Sequence, residues 1–153
     1  MHEIFIQNDD QRAIIETVQR FVAEEVTPRA AELDANINPE DSFSWEIVER
    51  AHEVGIRQMT LAEQYGGLGT DSLTTSMVIE ELGKGDLGVS VIFAQTLKIA
   101  QIMQAALNKE QQSRVLPVFS EDPRGMLGIG ITEPDNASNY FIPHPTPFRT
   151  SAE

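Results

Sequence analysis

The sequence predicts a mainly α protein, an orthogonal bundle of five or six helices followed by the first strand of a β domain. Three observations predict it. Apolar residues recur at three- and four-residue intervals through most of the chain between Asn8 and Glu121. Residues that start or stop helices stand at the ends of those periodic stretches. The last regular run, "MLGIGITEP", breaks the pattern, because it is short, apolar, interrupted by Gly128 and Gly130, and stopped at Pro134.

The first helix is expected in "NDDQRAIIETVQRFVAEEV", where Ile14, Ile15, Val18, Phe21, Val22 and Val26 form one apolar stripe. Asp9 and Asp10 are expected to cap it and to place negative charge at the positive end of its dipole. Pro28 lacks an N–H, so the helix is expected to kink or stop there, with "RAAELDA" continuing for a turn or two. "NINPEDSFS" reads as loop. Ser44 is expected to cap a second helix, with Trp45, Val48, Ala51 and Val54 facing inward and Gly55 as its stop. "IRQMTLAEQYGGLGTD" reads as irregular, with Gly66, Gly67 and Gly69 in a tight turn. Asp71 should cap a third helix carrying Leu73, Met77, Val78 and Leu82 and ending near Gly83 and Gly85. "GVSVIFAQTLKIAQIMQAAL" is the most apolar segment, yet Gln95, Lys98, Gln101 and Gln104 give it a drifting polar stripe. A membrane span has few such residues at its centre, so this reads as a long, largely buried helix and no membrane span is expected. Asn108 should cap the last helix, with Val115, Leu116 and Phe119 as its apolar contacts and Pro117 disturbing its end.

Met126–Ile131 then reads as a strand with no second strand to pair with. Unpaired backbone groups are costly, so its sheet is expected in polypeptide outside these 153 residues. The expected division is a helical domain over 1–121 and the incomplete beginning of a β domain over 122–153. The tail "NYFIPHPTPFRTSAE" reads as an extended connector.

Composition narrows the function classes. Hydrophobic content of 41% and charged content of 23% are those of a globular domain. A net charge of −13 argues against a nucleic-acid partner and against docking on anionic lipid through a basic patch. The chain has no cysteine, which excludes disulfides, thiolate nucleophiles and Cys-ligated metal within it. No basic region followed by an apolar core opens the N-terminus, so a cytoplasmic location is expected.

Few residues carry a chemical signal alone. His2, His52 and His144 are far apart and lack metal-ligand spacing, so no metal is expected. Glu80 and Glu81 are neighbours on a helix and point about 100° apart, which fits a solvated face and ordinary packing rather than paired acid–base work. No Gly-x-Ser-x-Gly elbow is present, and "GIG" at 128–130 lacks the third glycine of a dinucleotide fingerprint. The Gly-Gly-Leu-Gly turn could approach a phosphate but more often only reverses the backbone. The hook "ITEPDNAS" differs, because Thr132, a carboxylate, a proline lock and Ser138 put hydrogen-bonding groups on a stiffened turn, suited to a polar ring edge or a phosphate.

Five separated pieces, in one order, resemble one family. "LAEQYGGLG" is similar to the Pro-Glu-Glu-Tyr-Gly-Gly-x-Gly segment of the flavin-dependent acyl-CoA dehydrogenases. "VQRFVAEEVTPRAAELD" resembles their first helix, "VIEELGKGDLGVS" their fourth-helix Glu-Glu-Leu segment, and "LNKEQQSRVLPVF" their Asn-x-Glu-Gln-Lys-x-x-x-Leu-Pro run. "GIGITEPDNASN" resembles their signature Ala-x-Thr-Glu-Pro-x-x-Gly-Ser-Asp. The resemblance covers nearly the whole chain and implies FAD-dependent α,β-dehydrogenation of an acyl-CoA substrate, with electrons passing to an electron-transferring flavoprotein. It implies that Ile131 and Thr132 meet the flavin ring, and that Ser138 lies near the FAD pyrophosphate or the CoA pantetheine. It places Val89 to Ala100 beside the acyl chain. The proton-abstracting glutamate has no counterpart here, so no catalytic base is expected in this chain. The β and C-terminal domains are expected beyond Glu153 or on a partner chain, in a homo-oligomer. Ala137 stands where the family has glycine, Asn139 where it has aspartate, and Ile129 where it often has an aromatic. The alternatives are a flavin monooxygenase or nitroalkane oxidase of the same fold, or a non-catalytic acidic helical partner subunit.

Overall fold

The computed structural model describes residues 4–134 and 148–151. It contains α1 (Asp9–Phe21), α2 (Thr27–Ala35), α3 (Trp45–Glu53), α4 (Ser72–Gly85), α5 (Leu87–Ala106) and α6 (Lys109–Glu121). The chain is a helical bundle, as its patterning predicts.

The α1 stripe is buried as expected, with Ile15, Val18 and Phe21 in the core and Ile14 half-buried. Its cap is Asn8, one residue earlier than predicted. The Asn8 carboxamide accepts from Gln11 N–H at 2.8 Å, and Asp9 and Asp10 fall in the first turn, where their charge still favours the dipole. Pro28 neither kinks the chain out of helix nor stops it. A five-residue π-helical turn, Val22–Val26, joins α1 to α2, and Pro28 sits in the first turn of α2, where its missing N–H costs little. The widened turn is closed by Thr27 N–H donating to Val22 C=O, and Arg29 Nη1 donates to Glu25 C=O at 2.8 Å.

Ser44 caps α3, accepting from Ile47 N–H, and Gly55 ends it with φ near +80°. Two residues expected inside are not. Trp45 and Val54 are exposed, and Ile47, Val48 and Ala51 make the inward face. Positions 47, 48 and 51 follow the 3–4 spacing, whereas 45 and 54 fall on the flanks. Between α3 and α4 the chain is irregular but deeply buried at Ile56, Arg57, Met59 and Leu61.

Asp71 caps α4, its Oδ1 accepting from Thr74 N–H at 2.7 Å. The helix ends at Gly85, where a Cβ would lie 2.7 Å from Val22 Cγ1, so this glycine permits close packing of α4 on the π turn. Asp86 then caps α5 directly. By length and composition α5 could cross a membrane, but Phe93, Leu97 and Ala100 are buried against the other helices. Asn108 and Gln111 form a reciprocal capping box at α6, which passes through Pro117 to Glu121. One apolar cluster joins α1, α3, α4 and α5. A second joins Leu61, Ala100, Leu116 and Phe119.

Met126–Ile131 is neither helical nor paired in a ladder, and no strand occurs among the described residues. Among the described residues no segment pairs with this run in a ladder, and a single extended run without such a neighbour is not a strand.

Substituting Asp71→Ala removes the α4 cap and should destabilise the bundle by about 1 kcal/mol in urea unfolding. The carboxyl of Asp71 is held below the usual range by the backbone N–H and hydroxyl of Thr74. Its contribution is therefore full above the ordinary aspartate value and fades as pH falls through the lower folded value, so the wild-type and Asp71→Ala stabilities should converge in acid.

Candidate functional site

The chain leaves α6 through a clamp built around Arg57. This guanidinium is 0% exposed. Its Nη1 donates to Gly125 C=O at 2.7 Å. Its Nη2 lies 2.7 Å from Asp122 C=O, 3.0 Å from Phe119 C=O and 3.1 Å from Ser120 C=O. These are the carbonyls that a helix C-terminus leaves without intrahelical partners. Nη2 also meets His52 Nδ1 at 2.8 Å. A guanidinium only donates, so in this contact the ring nitrogen is the acceptor. The plane of Arg57 lies 4.6 Å over the Phe119 ring. Burial pushes the guanidinium below its ordinary value, and the Asp122 charge opposes that.

Beyond the clamp, Thr96 on α5 takes over. Its hydroxyl is buried, approaches Met126 Sδ at 3.8 Å and accepts from Leu127 N–H at 3.4 Å. Met126 packs on the first apolar cluster and Leu127 on the second. From Gly128 the chain runs free of the bundle, since a Cβ at Gly128 or Gly130 would meet nothing within 4 Å. Ile129 is 49% and Ile131 41% exposed, and Thr132 is exposed. Gly130, Ile131, Thr132, Glu133, Phe148 and Thr150 line an opening of about 370 Å³. Glu133 closes one side, accepting from Arg149 N–H at 2.9 Å and Thr150 N–H at 2.7 Å.

The structure thus brings Ile131 and Thr132 together at one exposed turn. Ser138, with Ala137 and Asn139, lies outside the described residues. The exposed side of α5 presents Val91 and Ile102 around Lys98, an apolar wall that nothing else in the described residues covers.

The other candidates take their ordinary readings. The glycine turn spends its N–H groups internally, Gly66 to Glu63, Gly67 to Ala62, Leu68 to Met59 and Gly69 to Leu61, leaving none for a phosphate. A Cβ at Gly67 would clash with the Leu61 carbonyl. Glu80 is exposed. Glu81 is buried rather than solvated, paired with Lys84 at 2.6 Å and accepting from Gln19 at 3.2 Å. No group of acidic or imidazole side chains among the described residues could hold a metal. Sequence reasoning passed over Arg57. Its signal was a lone cation inside "VGIRQMTL", an otherwise apolar stretch.

Six helices, followed by an exposed segment with no regular structure of its own, define the class as a helical-bundle domain. Residues 8–121 match the family model described as "Acyl-CoA dehydrogenase, N-terminal domain", and the chain belongs to that family. It is 31% identical over 136 residues to a probable medium-chain specific acyl-CoA dehydrogenase 2, mitochondrial, of Caenorhabditis briggsae, covering 88% of this chain and 32% of that protein. It is 30% identical over 137 residues to a 3-sulfinopropanoyl-CoA desulfinase of Paraburkholderia xenovorans, covering 88% of this chain and 34% of that one. Butyryl-CoA dehydrogenase from Megasphaera elsdenii has the same fold, with a TM-score of 0.64 at 22% identity over 76% of this chain and 30% of that chain. The chain spans about a third of the length of the curated relatives it matches.

The Thr150 hydroxyl and the N–H groups of Arg149 and Thr150 hold the Glu133 carboxyl below the usual glutamate range. The contact should therefore persist down to pH values below the ordinary glutamate pKa and be lost as pH falls through the lowered one. An NMR titration of the Thr150 amide should show that midpoint, and Glu133→Gln should abolish it.

Proposed function

We propose that the chain supplies the acyl-side helical domain and part of the flavin site for FAD-dependent α,β-dehydrogenation of an acyl-CoA thioester. The division is 1–121 for the helical domain and 122–153 for the beginning of the flavin-binding β domain. The observation that carries the reading is the family match over 8–121 leading directly into an exposed Ile131–Thr132 turn within a Thr-Glu-Pro signature.

The residues present fit a flavin edge. The turn is solvent-facing, Gly128 and Gly130 permit close approach, and the opening they border is large enough for part of a ring system but not for a whole dinucleotide. FAD would supply the hydride acceptor for the substrate β carbon. The backbone of Ile131 and the hydroxyl of Thr132 would hold its ring edge, and Ser138 is the residue the resemblance assigns to the pyrophosphate or pantetheine. The exposed face of α5, through Val91 and Ile102, walls the acyl chain and excludes water from it. The α-proton is removed by a base outside these residues, and electrons leave to an electron-transferring flavoprotein.

A second reading keeps the acyl-CoA but changes the bond broken, and the desulfinase among the relatives at comparable identity favours it. Anaerobic addition of a saturated acyl-CoA to the flavin-loaded assembly separates the two. Bleaching of the flavin supports dehydrogenation; an unbleached flavin with that substrate, together with sulfite release from a 3-sulfinoacyl-CoA, supports the other.

The 153-residue chain alone, mixed with an acyl-CoA and a dye acceptor, should give no turnover. With the β and C-terminal domains supplied, Thr132→Val should weaken FAD binding about fivefold, the worth of one hydrogen bond of about 1 kcal/mol, in a fluorescence-quenching titration.

A further inference from the structure

We infer that Arg57 is a positioning residue for the Ile131–Thr132 turn, acting through the Gly125 carbonyl, with Thr96 as the second anchor. The inference deepens the flavin-site reading, because it supplies the means by which the helical domain aims the cofactor-facing turn.

Three observations carry it. First, one side chain ties the end of α6 to Gly125, whose own N–H also donates to Asp122 C=O at 3.0 Å. Arg57 Nη2 gathers the last carbonyls of α6 and its Nη1 takes Gly125 C=O at 2.7 Å. A planar fork with donors on both ends can do this, and a point-charge ammonium cannot. Second, Gly125 is tightly packed. A Cβ there would lie 3.0 Å from Phe119 C=O, 3.2 Å from Arg57 Nη1 and 3.2 Å from Asp122 C=O. The backbone is therefore held against the clamp rather than merely near it. Third, the next contacts are those of Met126 and Leu127 with Thr96 on α5, after which the chain is exposed from Gly128 to Thr132 and an added Cβ at Gly128 or Gly130 would stand in open space. The direction of the chain at Leu127 is thus set before the free stretch begins. Thr96 belongs to α5, so the exit segment is indexed to that helix.

The chain has no cysteine, so spin labels can be placed at will. One pair joins Ile129→Cys, on the exit segment, to Lys98→Cys on α5. A reference pair joins Glu16→Cys on α1 to Lys98→Cys and reports only on the bundle. Distances are read by double electron–electron resonance in the 153-residue chain. The expected result is a narrow Ile129–Lys98 distribution in the parent, and a broad one in both Arg57→Met and Arg57→Lys while the reference pair stays narrow. Lysine keeps a positive charge at the end of α6 but loses the fork. Restoration of the narrow exit distribution by lysine would therefore mean that charge alone suffices and would overturn the inference. So would a narrow exit distribution in Arg57→Met, or a broad one in the parent. Should Arg57→Met unfold the bundle and broaden both pairs, Arg57→Lys decides by the same criteria. Thr96→Val, which keeps the shape and removes the hydroxyl, should shift the exit pair without moving the reference pair. The measurement needs no flavin. The clamp can thus fail while the flavin reading stands, and a clamp that holds leaves that reading to the FAD titration.

Discussion

A charged guanidinium taken wholly out of water is the constraint around which the bundle is arranged. Removing such an ion from solvent costs several kcal/mol even after relaxation, and the cost is offset only by well-placed partners. Arg57 finds them at the end of α6, where unshared carbonyls carry the negative end of the helix dipole. The Phe119 ring lies against its face. Nη2 has two hydrogens and four acceptors, so its bonds are shared rather than added, and Nε is buried without a partner. The group therefore has one satisfactory setting. With α6 displaced, those carbonyls and that charge would both be stranded. The irregular stretch after α3, the end of α6 and the exit segment consequently behave as a single fixed unit.

The long helix α5 explains why so apolar a segment belongs in a bundle. Its inward side fills the first cluster through Phe93 and Leu97 and reaches the second at Ala100. Its outward side keeps Val91 and Ile102 exposed, with Lys98 between them. An ordinary surface helix presents polar residues there. Apolar exposure on the helix that also anchors Leu127 is what a wall awaiting an apolar ligand or further polypeptide requires.

Much of this architecture was legible because helix signals are local. Caps at Ser44, Asp71 and Asn108, the stop at Gly55 and the periodic stripe of α1 each follow from a few adjacent residues. What failed was what local pattern cannot weigh. Pro28 reads as a break until one sees the π turn placing it at a helix start, where no donor is needed. Trp45 and Val54 look like core residues by type, but their angular position on α3 leaves them outside. Arg57 is passed over in the sequence because its carbonyl partners lie more than sixty residues away along the chain. The turn at Ile131–Thr132 became interesting by resemblance more than by chemistry. Hydroxyl, carboxylate and proline residues occur in many turns, and only the surrounding fold distinguishes this one.

The geometry of the exit segment also limits where Thr132 can lie. Thr132 stands five residues beyond Leu127, a reach of at most about 18 Å. Fixing Leu127 to Thr96 therefore keeps Thr132 within that distance of the anchor on α5. Two glycines inside that stretch would leave its direction loose, since glycine visits conformations closed to other residues. The far end is tied separately, by Glu133 accepting from the backbone at Arg149 and Thr150. A tether anchored at its start has fewer conformations to lose when something captures it than one free along its whole length, so less binding energy goes into ordering it. That anchoring is what Arg57 and Thr96 supply, through Gly125 and Leu127.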